Sequence, residues 1–128
     1  MTSHYQPKKT AFLLPHSVYY QTIWTIKGYY YHKEKIDDII LATPDHDGMP
    51  KGSDHGDPTA AKALKIKESG QIVRVIEEEK NKIQAEYRQG VWQNIMYGER
   101  FPLDAHRNTY SYHKHKFIYN VAVRLGYY

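Results

Sequence analysis

Nine side chains near the C-terminus, Arg107, Asn108, Thr109, Tyr112, His113, Lys114, His115, Lys116 and Asn120, mix cations with hydrogen-bonding groups over a short stretch. Their chemistry suits a polyanion. Lys and Arg neutralise phosphates, Asn, Tyr and His reach base edges or backbone oxygens, and the free amides at a helix N-terminus attract phosphate. The charge is segregated in the same place. The chain carries 18 Lys+Arg and 14 Asp+Glu, a net +4, while residues 105–128 hold Arg107, Lys114, Lys116 and Arg124 and no acidic residue. Residues 1–104 are therefore balanced, and the whole excess lies in the tail. His106, His113 and His115 lie there too and add charge below about pH 6.5 if unperturbed.

A second cluster, Asp45, His46, Asp47, Asp54, His55 and Asp57, consists of competent metal ligands. Its order does not match the alternating acidic spacing of a calcium loop, and no other cluster completes a site. The segment reads instead as a polar turn leading to a helix cap, so no metal or cofactor is expected. His113 and His115 stand two apart, so on a helix they point in different directions and do not chelate together. Glu77, Glu78 and Glu79 are consecutive, fan around a helix and are expected to face water with Lys80. There is no cysteine, phosphate-binding glycine loop, zincin motif or nucleophile elbow, so an enzyme is not expected.

The elements that must position the tail cluster read as helices. From His16 to Leu41, apolar residues at Tyr19, Ile23, Ile26, Tyr30, Ile36, Ile39 and Ile40 recur mostly at spacings of three and four, with a bend expected at Gly28. Residues 42–56 are rich in Pro, Gly, Asp and Ser and form a connection. Asp57-Pro58 is a strong helix start, followed by Ala61, Leu64, Ile72, Val75, Ile76 and Ile83, with an interruption possible at Ser69-Gly70. A helix over about 86–97 stops at Gly98. The last runs over about 109–125, with Asn108 as cap and Gly126 as terminator. Tyr19, Tyr30, Tyr87 and Tyr110 read as packing residues, and Trp24 and Trp92 as core anchors.

On the last helix, Tyr110, Phe117, Ile118, Val121 and Leu125 share one arc, with Thr109, Tyr112, His113, Lys116 and Asn120 opposite. One face packs and the other offers donors, with helix 86–97 as a brace in the manner of helix-turn-helix recognition. The plain alternative is a solvated basic face on a core helix.

Several segments resemble proteins of phages and prophages of Gram-positive bacteria: Leu14-Pro15-His16-Ser17-Val18-Tyr19, Ser53-Asp54-His55-Gly56-Asp57-Pro58-Thr59-Ala60, Tyr87-Arg88-Gln89-Gly90-Val91-Trp92-Gln93-Asn94-Ile95, and Ala105-His106-Arg107-Asn108-Thr109-Tyr110 followed by Lys116-Phe117-Ile118-Tyr119. The resemblance is to RinA/ArpU-type regulators of late phage genes, whose C-terminal part is similar to the sigma-factor region that reads promoter DNA. It implies that Asn108-Thr109-Tyr110 heads a recognition helix and that Lys114 and Lys116 occupy basic positions. His113 and His115 depart from that pattern, standing where permanently charged or aromatic residues are unsurprising.

The expectation is an all-α protein: a long antiparallel helical hairpin within residues 1–85, then a helix-turn-helix-like unit over 86–128. Double-stranded DNA is the expected partner, with host RNA polymerase as a further candidate and a homo-oligomer through the long helices. The alternative is a non-enzymatic phage interaction protein whose helices oligomerise and whose basic face meets an acidic protein. No apolar stretch approaches the roughly 18 residues of a spanning helix, and Ala11-Phe12-Leu13-Leu14 is too short for a signal-peptide core. The expected location is the cytoplasm of a bacterial host.

Overall fold

The computed structural model describes residues 6–42 and 58–128, which form five helices and, among the described residues, no strand. They are α1 (His16–Lys27), α2 (Tyr29–Ala42), α3 (Pro58–Lys82), α4 (Ala85–Tyr97) and α5 (Arg107–Arg124). The fold is all-α, and no described helix is long and apolar enough to cross a membrane.

The helix between His16 and Leu41 is divided at Gly28, whose amide still bonds back to Trp24 and Thr25 while its carbonyl accepts from His32. The helix is thus interrupted at Gly28, which keeps hydrogen bonds to both sides of the break. α2 and α3 make the most extensive helix pair. Tyr29 donates to Glu77, and His32 lies 3.3 Å from Ser69. One helix number rises as the other falls, so the pair runs antiparallel. α3 continues through Ser69-Gly70 and breaks only at Ile83-Gln84. There Arg88 of α4 reaches back to the carbonyls of Lys80, Asn81 and Ile83 at 2.9–3.1 Å, satisfying acceptors that the end of α3 leaves orphaned. Lys27 does the same for α4, with its ammonium 3.4 and 3.3 Å from the carbonyls of Ile95 and Met96.

The core joins Tyr19, Ile23 and Ile26 of α1, Val75 and Ile76 of α3, Val91, Trp92 and Ile95 of α4, and Tyr110, Phe117, Ile118 and Val121 of α5. It therefore crosses residue 85, where the sequence suggested a division. Trp92 is an anchor, but Trp24 is 67% exposed and Tyr30 50% exposed, contrary to expectation. Tyr30 keeps one contact inward, accepting from the Trp92 indole N–H at 3.4 Å, while the rest of its ring faces solvent. Glu79 is also corrected: only 3% exposed, it occupies a core position between Ile76 and Ile83 on the inward stripe of α3. The Asp/His cluster over 45–57, with Asp57 as cap, lies outside the described residues.

Candidate nucleic-acid interface

α4 and α5 are joined by residues 98–106, a connection organised from both ends. Gly98 adopts φ 68°, the left-handed conformation that ends a helix, and its amide bonds to Asn94. Asn94 donates its side-chain amide to the Glu99 carbonyl at 2.7 Å. Tyr110 closes the other end. Its ring stacks on Phe101 (5.3 Å, 13°) and meets Tyr87 edge-on, and its hydroxyl donates to Asp104. Burial and Asp104 push its phenol up to about 12. Gly90 lets this happen: a Cβ there would lie 2.6 Å from the Tyr110 ring and 2.7 Å from Pro102. The connection exceeds the roughly three- to four-residue turn of a helix-turn-helix.

α5 begins at Arg107 with His106, not Asn108, as its cap: the His106 ring nitrogen accepts from the Asn108 amide at 3.0 Å. One of the amides expected to attract phosphate is thereby occupied. The buried stripe of α5 runs Tyr110, Lys114, Phe117, Ile118, Val121 and Ala122, with His115 at its edge.

Two of the nine candidate residues are therefore corrected. Lys114, four residues after Tyr110 and four before Ile118, is only 3% exposed, and burial lowers its ammonium pKa to about 8. His115 is buried against α1, its ring stacked on Tyr19 (5.9 Å, 9°) and its Nδ1 2.7 Å from the Ser111 carbonyl. Lys114 faces the core, and His115 reaches only the floor of a groove beside α5. Among the remaining seven, Thr109, His113 and Asn120 are half-buried. His113 stacks on Tyr87 at 4.8 Å, and burial, then Lys116, lower its pKa, so it stays neutral to lower pH than an ordinary histidine.

Arg107, Asn108, Tyr112 and Lys116 are exposed. Asn108, Tyr112 and Lys116 follow one another at intervals of four, a stripe about 12 Å long at 1.5 Å per residue. Among the described residues no carboxylate lies within ion-pair distance of Arg107 or Lys116. Arg124 differs: its guanidinium holds Glu78 at 2.7 Å and Glu79 at 3.0 Å, and Lys82 adds a third contact at 2.8 Å. Of the four tail cations, then, one is buried, one is neutralised and two face outward unpaired.

Two grooves flank Tyr112. One is lined by Glu79, Lys82, His113, Lys116 and Asn120. The other, of about 340 Å³, separates α5 from residues 7–12 and is lined by Lys9, Thr10, Phe12, Asn108, Ser111 and Tyr112. Phe12 packs on Tyr112 and Tyr119 at 5.6 and 5.7 Å. Sequence reasoning missed this N-terminal segment, although Lys8-Lys9 beside an apolar run was a visible signal. No family model matches the chain, and no curated protein or solved structure matches it either.

Proposed function

We infer that the protein is a non-enzymatic DNA-binding regulator of phage or prophage transcription, with α5 docking on duplex DNA. The observation that carries the reading is the outward stripe of Arg107, Asn108, Tyr112 and Lys116, whose two cations have no carboxylate partner among the described residues. Exposed unpaired cations on a rigid helix neutralise phosphates, while the amide and phenol between them offer groups that read or position a groove. An α-helix with its side chains, about 10–12 Å across, fits the roughly 12 Å width of a major groove. α1, α3 and α4 all pack against α5 and hold this stripe fixed, which reduces the ordering cost of binding.

The test is a titration of short duplex DNA at graded salt, followed by fluorescence anisotropy. Arg107→Gln with Lys116→Gln is expected to weaken binding to all sequences and flatten the slope of log K against log salt by about 1.8, at about 0.9 per phosphate contact. Absence of binding by the parent even at about 50 mM salt refutes the reading.

One observation favours the interaction-protein reading as second. Among the described residues from 30 to 72, Ile36 and Ile72 are only partly buried where they pack against the core, and Ile40 and Leu64 on this part of the α2–α3 pair are 56% exposed each. A helical pair with unburied apolar positions suits a helical partner. Sedimentation showing an assembly indifferent to DNA would favour it.

A further inference from the structure

The chain ahead of α1 is closed on itself by specific hydrogen bonds and packs on α5 through Phe12. The Gln6 side chain donates to the Leu14 carbonyl and accepts from the Leu14 amide, both at 2.8 Å, so one side chain closes residues 6–14 into a loop. The Thr10 hydroxyl accepts from the Phe12 amide at 3.2 Å inside it. Leu14 is buried in the core at one end, and Phe12 packs its ring on Tyr112 and Tyr119. The loop therefore has a fixed position beside the outward stripe of α5.

Lys8 and Lys9 are exposed on this loop, with no carboxylate within ion-pair distance among the described residues. Two exposed, carboxylate-free cations on a closed loop create a local positive potential that attracts an anion. The groove between loop and α5 is lined by the Lys9 side chain, the Thr10 and Ser111 hydroxyls, the Asn108 amide, Tyr112 and His115, and among the described residues no acidic side chain lines it. That donor set, a cation with hydroxyl and amide groups, is the set that contacts phosphate oxygens.

We propose that residues 6–14 form the second wall of the DNA surface, with a backbone phosphodiester seated between Lys9 and the Asn108 and Ser111 side chains and Lys8 meeting a neighbouring phosphate. The proposal rests on the reading of α5 as a DNA-docking helix. It extends the two outward cations of α5 to four, and DNA is favoured over an acidic protein because one continuous phosphate backbone can meet all of them.

The experiment compares salt slopes for a mixed-sequence duplex among variants of the full chain. Lys9→Gln is expected to flatten the slope by about 0.9, and Lys8→Gln/Lys9→Gln by about 1.8. Gln6→Ala, which opens the loop but keeps both charges, is expected to weaken affinity several-fold. Lys62→Gln, an exposed lysine distant in sequence on α3, is expected to leave the slope unchanged. A parental slope in Lys8→Gln/Lys9→Gln alongside a flattened one in Arg107→Gln/Lys116→Gln overturns the loop proposal and leaves the α5 reading standing. An equal effect of Lys62→Gln overturns it as general charge loss. A poly-glutamate competitor that binds as tightly as DNA overturns it in favour of an acidic protein. Failure of the parent to bind DNA at low salt overturns both readings.

Discussion

Gly70 and Gly90 both lie inside helices, so exchanging each for alanine applies one chemical change to two environments. In an open helix interior the exchange stabilises by about 1 kcal/mol, because alanine loses less backbone entropy on folding. At Gly70 of α3 nothing lies within 4 Å of the added Cβ, so that gain should appear in full. At Gly90 the Cβ would stand 2.6 Å from the Tyr110 ring, and 2.7 and 3.0 Å from two atoms of Pro102. Carbon atoms pack at about 3.5–4.0 Å, so the closest contacts are short by about 1 Å. Neither neighbour can easily yield. Tyr110 is held between Phe101 and Tyr87 with its hydroxyl on Asp104, and the Pro102 ring is part of the backbone. Overpacking of this kind costs up to about 3 kcal/mol, and a lost Tyr110–Asp104 bond adds about 1. After the propensity gain, Gly90→Ala should destabilise by about 2–3 kcal/mol, lowering Tm by roughly 10 °C, whereas Gly70→Ala should raise it by a few degrees. Denaturant and thermal melts followed by circular dichroism measure both. A Gly90→Ala protein as stable as the parent would refute the close approach of α4 to Tyr110, and with it the seating of α5.

Other expectations concern the buried charges. Lys114 has a folded pKa of about 8 against an ordinary 10.5, so between those values the unfolded chain holds a proton that the folded chain has released. Stability should therefore rise with pH from about 8 toward 10.5, by up to roughly 3 kcal/mol if the whole shift is expressed. Comparing parent with Lys114→Met between pH 8 and 9.5 isolates this effect, because tyrosines with raised pKa values oppose it only above about 10; parallel curves would count against it. Arg124→Met leaves the buried Glu79 carboxylate with Lys82 alone and should cost at least about 2 kcal/mol in a denaturant melt. Adding Glu79→Leu should recover much of that loss, and a double variant as unstable as the single would contradict the account.

Much of the architecture is legible in the chain because local rules set it. The apolar spacings of three and four give the helices, Gly98 ends α4 in a conformation that disfavours a side chain, and Pro58 opens α3. Strict use of the same periodicity also shows why Lys114 and Glu79 are buried, since each stands at a core interval between apolar neighbours. A residue's charged type argued for water, and the stripe it belongs to overrode that argument.

The sequence by itself determined an all-helical chain with its net positive charge concentrated in the last helix. Tertiary structure alone decided which of the outward charges are available: Arg124 is neutralised by Glu78 and Glu79, 46 and 45 positions earlier, whereas Arg107 and Lys116 have no carboxylate partner among the described residues. It also decided that Lys8 and Lys9 stand beside α5, through Gln6, Leu14 and Phe12. The physical reason is that helical period fixes the directions of side chains about their own axis. Which directions remain open to solvent depends on the neighbours that pack around that axis, and those neighbours come from distant parts of the chain.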